Sequence, residues 1–334
     1  MPRKKKQNSD AVAPSTTGDD YIFEAQQTPQ SETLEIPYSE KLIHCLRYNP
    51  SAIPPEMIFT HGAGGTLDAP AMVNFAAGFA ASKSLLYFQG SMNLKSRTKM
   101  FHAVVQFHES SVKALGGRSM GARAAVMAAH EDRDVKALIL VSYPLKSEKG
   151  DLRDQILLDL DGDVEVLFIS GDRDNMCSLI DLDGVRRHMK AKSWLITAKG
   201  ADHGLNMKPK KATDVLGRLT GELAAKWLDG RDMAWTESTI GWDDERVTIF
   251  QSSWETTQRH VSNTGEDHDP PPRANTVIKK VDPKDSAKKS SGKREEADKT
   301  EIREGTRSQK RKTTADTAMI TATRTTRPKR PKKG

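Results

Sequence analysis

Gly116-Gly117-Arg118-Ser119-Met120-Gly121 decides how this chain is read. Within it, Gly117 to Gly121 spell Gly-x-Ser-x-Gly. The short strand candidate Val112–Leu115, which carries Lys113, precedes the motif and a helical pattern, Gly121–His130, follows it. A sharp strand-to-helix turn of this kind holds its central serine in strained backbone geometry, and glycine on either side leaves the room the turn needs. The hydroxyl is lifted clear of the sheet and set at a helix N-terminus, where developing negative charge is favoured. Ser119 is therefore a candidate nucleophile, with Gly117 and Gly121 as structural residues of the elbow. Taken alone, the pentapeptide also reads as a glycine-rich turn with an ordinary N-cap serine.

Working outward, strand candidates Met57–Thr60, Leu85–Gln89, Val112–Leu115, Ala137–Ser142, Val164–Ser170 and Trp194–Thr197 alternate with helix candidates. The helices are expected at Pro70–Lys83, Lys95–His108, Gly121–His130, Asp181–Lys190 and Lys211–Leu228. Most of the strands are continuous apolar runs, as required when both faces of a parallel sheet are covered. The alternation implies βαβ units and a doubly wound, mostly parallel sheet. Leu34–Ile36 and Lys41–Arg47 read as an antiparallel start to it.

Three further motifs follow strands. Thr60-His61-Gly62-Ala63-Gly64-Gly65 lies after the first core strand. Such a loop can aim a backbone N–H at an oxyanion, and by analogy with hydrolases the two donors are the N–H groups of Ala63 and Met120. No Gly-Lys-Ser/Thr follows, which excludes a P-loop. His61, Gly62 and Gly64 read as structural loop residues. Ser170-Gly171-Asp172-Arg173-Asp174 ends the strand at Val164–Ser170, and strand C-termini are where ligand-handling residues collect in open parallel sheets. Asp174 is the favoured acid and Asp172 the reserve. Ala201-Asp202-His203-Gly204 places His203 on a loop able to fold over the serine, as a general base requires. The order Ser119, Asp174, His203 is that of α/β-hydrolases and differs from both serine-protease orders. No metal and no cofactor are expected.

These blocks resemble the α/β-hydrolase-like family of NSL-complex subunit 3 and testis-expressed protein 30. The resemblance is carried by Gly116–Gly121 with Arg123-Ala124-Ala125, by Thr60–Gly65, Ser142-Tyr143-Pro144-Leu145 and Leu152-Arg153-Asp154, and by Leu167–Gly171 and Asp174 with Met176-Cys177. It implies an α/β-hydrolase fold over roughly residues 55–230, the acid at Asp174 and the base at His203. Only 22 positions separate Ser142 from Val164, too few for a cap domain. The expected substrate is thus a small ester, thioester or acyl compound in an open site. Arg118 and Arg123 flank the elbow and read either as attractors of an anionic substrate or as helix-surface and ion-pairing residues. Larger members of the family resemble chromatin-complex subunits, which implies an alternative role as a non-catalytic scaffold in a nuclear complex.

Composition places this domain inside a longer, unevenly charged chain. Of 334 residues, 36% are hydrophobic and 29% charged, too little apolar content for one compact unit of that length. Pro270–Gly334 carries 20 Lys/Arg against 8 Asp/Glu, while residues 11–269 have a net charge of −8. The basic balance belongs to the ends, so it gives no support to nucleic-acid binding by the core. The expected organisation is a disordered basic arm at 1–30, the α/β-hydrolase domain at 31–232, an aromatic-bearing linker or extension at 233–263, and a disordered basic tail at 264–334. Arg3-Lys4-Lys5-Lys6, Lys310-Arg311-Lys312 and Arg327–Lys333 are short basic clusters of nuclear-localisation type. They favour the nucleus over the cytoplasm and allow weak, salt-dependent contact with nucleic acid. The two cysteines, Cys45 and Cys177, fit a reducing compartment. No apolar run approaches the roughly 18 residues of a membrane span, and no apolar stretch follows the basic N-terminus as a secretory signal needs.

Overall fold

A hairpin opens the chain's sheet. β1 (Ser31–Tyr38) and β2 (Lys41–Tyr48) pair antiparallel, Leu34 opposite Cys45. Six parallel strands follow: β3 (Met57–Thr60), β4 (Leu85–Phe88), β5 (Ala114–Arg118), β6 (Ala137–Val141), β7 (Glu165–Gly171) and β8 (Lys192–Ala198). β9 (Glu237–Asp243) runs parallel to β8, and β10 (Thr248–Gln251) returns antiparallel to it. The strand order is β1-β2-β4-β3-β5-β6-β7-β8-β9-β10. This computed structural model describes residues 30–49, 55–108, 112–147 and 149–256. The basic arm up to residue 29, the tail and all three basic clusters lie outside them.

The helices are α1 (Pro70–Phe79), α2 (Leu94–Phe107), α3 (Met120–Glu131), the short α4 (Gln155–Leu158), α5 (Leu179–His188) and α6 (Lys210–Asp229). Strand periodicity divides the core between the two faces. In β6, Ala137, Ile139 and Val141 pack with α1 and α6, while Leu138 and Leu140 pack with α2, α3 and α5. In β7, Leu167 and Ile169 share the first face and Val166 and Phe168 the second. Both sides of each strand are apolar because both are covered, which explains the continuous runs. Removing a side chain such as Phe168, fully buried here, costs roughly 3–5 kcal/mol.

Local chemistry sets the helix starts. Pro70 opens α1, where its missing N–H is no loss. Asn93 caps α2 by accepting from Ser96 N at 2.9 Å. Ser178 caps α5 through Asp181 N at 3.1 Å, with Arg186, Arg187 and His188 in its last turn against the helix dipole.

Several expected boundaries shift. β5 runs past Leu115 to Arg118. Gly116 sits inside the strand because a Cβ there would come within 2.7 Å of Ile139 O and of the Phe59 ring. Helix α1 ends at Phe79 rather than Lys83, whose ammonium instead ion-pairs with Glu56 at 3.4 Å and Asp229 at 2.5 Å. Within the segment from 233 onward, β9 and β10 extend the sheet, and Trp242 and Trp254 pack against the core on the α1/α6 side. Trp235 stays 51% exposed.

Candidate active site

The parallel strands end on one edge, and that edge gathers the residues singled out in the sequence. β5 stops at Arg118 and α3 starts at Met120, so Ser119 alone makes the turn. Its backbone is held at φ 52°, a region a non-glycine residue enters only under constraint. Ser119 N donates to Val141 O at 2.9 Å on the neighbouring strand, and Ser119 O accepts from Arg123 N at 3.2 Å inside the helix. The elbow glycines are sites of close approach. A Cβ on Gly117 would meet Gly121 C at 2.3 Å, and one on Gly121 would meet Thr60 O at 2.5 Å and His61 O at 2.6 Å.

Ser119, His203 and Asp174 come together in one line of hydrogen bonds. Ser119 Oγ lies 2.9 Å from His203 Nε2. His203 Nδ1 lies 2.8 Å from Asp174 Oδ2 and 3.0 Å from Oδ1. The Asp174 side chain is fully buried and that of His203 is 25% exposed. Nδ1–H donates to the carboxylate, leaving Nε2 free to accept the serine proton. Asp174 also accepts from Met176 N at 2.8 Å, which fixes its carboxylate.

Asp172 is held elsewhere. Its Oδ1 accepts from Gly200 N at 2.6 Å and its own N–H donates to Ala198 O at 3.2 Å. It thereby ties the end of β7 to the loop carrying His203. Arg173 N adds a bond to Ala201 O at 3.0 Å, and Asp202 closes the loop by accepting from Asn206 N at 2.9 Å.

On the other side of the elbow lies the loop after β3. Gly62 packs against Ser119, so that a Cβ on it would sit 3.4 Å from Ser119 Cβ. Gly64 turns with φ 65°, and its N–H points to Met92 Sδ at 3.1 Å. Ala63 is exposed, and its N–H has no hydrogen-bond partner among the described residues. Met120 is the first residue of α3, so its N–H has no acceptor inside the helix. His61 is buried and acts as a strut. Its Nδ1–H donates to Gly62 O at 2.7 Å, and Nε2 accepts from Gly90 N at 2.9 Å and from Gln89 Nε2 at 2.8 Å. Burial, with Arg97 nearby, pushes its pKa below the usual histidine value of 6.5.

Two arginines brace these loops. Arg118 donates through Nη2 to His203 O at 3.2 Å, so the structure ties it to the histidine loop. Burial lowers its pKa, while Asp202 and Asp174 nearby work against that. Arg97, on α2, was not among the residues flagged by sequence. It is fully buried and donates to His61 O through Nη1, to Gly90 O through Nη2 at 3.3 Å and to Ser91 O through Nε at 2.8 Å. Burial lowers its pKa to about 10. The hint in the sequence is its spacing of four and seven residues from Phe101 and Val104, which puts it on the apolar stripe of α2.

Arg123 is half-buried beside Tyr143, and Ser142, at φ 48°, buries an Oγ that finds no partner among the described residues. Among the described residues the β6–β7 connection holds the isolated bridge Lys146–Leu152 and α4. Among the described residues no group of His, Cys, Asp and Glu is arranged to hold a metal ion, and no helix is long and apolar enough to cross a membrane.

An alpha/beta hydrolase domain family matches residues 91–225, a span that includes Ser119, Asp174 and His203. DcsB, solved in complex with its substrate analogue, is 13% identical with a TM-score of 0.50, over 60% of this chain and 100% of that one. Est1E from Butyrivibrio proteoclasticus is 17% identical with a TM-score of 0.47, over 59% and 99%. XC6422 from Xanthomonas campestris, described as an α/β serine hydrolase without lid, is 14% identical with a TM-score of 0.46, over 64% and 100%. The described domain has the α/β-hydrolase fold, a mostly parallel sheet flanked by helices.

Proposed function

We propose that this chain is a serine hydrolase acting on a small ester, thioester or acyl substrate. The observation that carries the reading is the unbroken path from Ser119 Oγ to His203 Nε2 at 2.9 Å and from His203 Nδ1 to Asp174 at 2.8 Å. In this mechanism Ser119 Oγ attacks the carbonyl carbon as His203 Nε2 takes its proton. Asp174 holds the imidazole in the correct tautomer and offsets the charge of the imidazolium. The tetrahedral oxyanion accepts from the N–H groups of Ala63 and Met120. Collapse expels the alcohol or thiol, which leaves with the proton from His203. Water then attacks the acyl-enzyme by the same route, restoring the Ser119 hydroxyl and releasing the acid.

A fluorophosphonate probe tests this directly. The wild type should be labelled and Ser119→Ala should not. A folded wild type that resists the probe would refute the reading. The alternative, a non-catalytic scaffold in a nuclear or chromatin-associated complex, draws on the basic clusters and on the resemblance to the NSL-complex subunit 3 family. On that reading Ser119→Ala leaves the chain's biological activity intact, and loss of the basic ends abolishes it.

A further inference from the structure

Three sequence blocks left idle by the proposed reaction meet at one corner of the sheet. Tyr143, just after β6, donates its hydroxyl to Arg153 O at 3.0 Å, and Arg153 N donates to Leu145 O at 2.8 Å. The Arg123 side chain, from α3, comes near the same hydroxyl, and burial first and the like charge of Arg153 second hold its pKa down. The backbone that carries the corner adjoins that of Ser119 on two sides. Arg123 N donates to Ser119 O at 3.2 Å, and Ser119 N donates to Val141 O at 2.9 Å, one residue before Ser142.

Its electrostatics are incomplete. Among the described residues neither Arg123 nor Arg153 forms an ion pair with a carboxylate. Acids of the adjoining segments are engaged elsewhere: Asp181 with Lys146 at 2.5 Å, Asp174 with His203, and Asp151 with Ser147 Oγ at 3.2 Å. Asp154 adds negative charge near Tyr143 and has contacts of its own. Arg123 Nε and Ser142 Oγ are both buried without a hydrogen-bond partner among the described residues. Two partly buried guanidinium groups in one corner repel each other, Arg123 has in addition lost hydration, and an anion bound there would relieve both costs. The guanidinium fork also matches the oxygens of carboxylate and phosphate groups.

We infer that Arg123 and Arg153 form an anion-binding subsite beside Ser119 that takes a carboxylate or phosphate carried by the substrate. The inference rests on the hydrolase reading for its place in the reaction, while anion binding itself can be tested without turnover. Mono-4-nitrophenyl adipate and 4-nitrophenyl hexanoate have equal chain length and differ in one carboxylate. The ratio of their kcat/KM values should favour adipate in the wild type. In Arg153→Gln it should fall by roughly ten- to a hundredfold, the range for losing a hydrogen bond to a charged group. Arg123→Lys, which keeps the charge but loses the fork, should give a smaller fall. Separately, Ser119→Ala should bind adipate dianion or inorganic phosphate saturably in calorimetry, and Arg153→Gln in that background should weaken it. Adipate alone binding would assign a carboxylate site and phosphate alone a phosphate site. A ratio unaffected by Arg153→Gln, or no Arg153-dependent binding of either anion, overturns the inference. Anion binding with no hydrolysis of either ester would instead refute the hydrolase reading alone.

Discussion

Replacing Arg97 by methionine removes five donors from the interior and keeps an apolar stem of similar reach. Arg97 is fully buried, and its guanidinium and Nε hold carbonyls from two different loops. The carbonyls of His61 and Gly90 are deeply placed and lose their arginine partner outright. Those of Gly62, reached at 3.4 Å, and Ser91 are part-buried and can turn to water. Leaving a buried acceptor unpaired costs on the order of 1–3 kcal/mol, so two cost about 2–6 kcal/mol. Part of this is returned because a guanidinium no longer has to be kept dehydrated. The expected net loss is about 3 kcal/mol, a large share of the roughly 5–15 kcal/mol that holds a typical domain together. Urea unfolding should show a lower midpoint with an unchanged slope. Activity should fall as well, because the loop carrying Ala63 loses its tether. With one oxyanion donor misplaced, kcat should drop by about 10²-fold or more while KM changes less. Arg97→Lys should recover little, since one ammonium cannot span carbonyls on both loops. An Arg97→Met chain within about 0.5 kcal/mol of wild type, with kcat intact, would refute the bracing role.

Exchanging the two candidate acids should separate them: Asp174→Asn should lower kcat by roughly 10³–10⁴-fold with the fold intact, whereas Asp172→Ala should cost about 1 kcal/mol of stability through the lost Gly200 bond and leave kcat within a few-fold. Equal losses of kcat would show that the assignment of Asp174 is wrong. Gly121→Ala forces a methyl to 2.5 Å from Thr60 O, so thermal melting should report a loss of roughly 1–3 kcal/mol, and an unchanged melting temperature would contradict the close approach. Native His61 resists protonation, chiefly through burial, while the unfolded chain takes up a proton near pH 6.5. Its contribution is therefore complete above pH 6.5 and is lost as pH falls below it, at up to about 1.4 kcal/mol per pH unit for one proton. Stability of His61→Asn, measured from pH 7 to 5, should fall less steeply than that of wild type; identical slopes would exclude the buried neutral imidazole.

Most of the sheet was legible in the sequence because a strand covered on both faces leaves an uninterrupted apolar signature. β6 and β7, buried along almost their whole length, are the clearest cases. The residues around Ser119, Asp174 and His203 were legible for a related reason: glycine and acid-bearing turns sit just after such strands. β5 was only half readable, because Gly116 and Gly117 look like a loop until the strands beside them are known. β9 and β10 were missed. Glu237–Asp243 buries Ser238, Ile240 and Gly241 among polar neighbours, and Gly241 faces the Phe250 ring. That partnership lies in the pairing of β9 with β10 and not in the composition of either strand.

Arg97 was hidden for a deeper reason. It shares the apolar stripe of α2 with Phe101 and Val104, four and seven residues on, so the helical period marks its face as buried without showing what its charge meets there. Its surroundings come from the loops after β3 and β4, and its bond to His61 spans 36 positions. Arg118, whose place beside Ser119 left substrate attraction and an ion-pairing role both open, likewise gives one donor to a loop carbonyl, His203 O. The two share one physical logic. A loop carrying proposed catalytic groups must run over the sheet edge with backbone carbonyls that no strand can pair, and an unpaired buried carbonyl is costly. One guanidinium offers several donors in a fixed plane, so a single side chain satisfies carbonyls from two loops at once and stiffens both. Arg97 does this for the side of the elbow bearing Ala63, and Arg118 contributes one such bond on the side bearing His203. Arg123 and Arg153 differ from both because no carbonyl or carboxylate in the described structure occupies their forks. That difference separates an arginine that completes the scaffold from one left to meet a ligand.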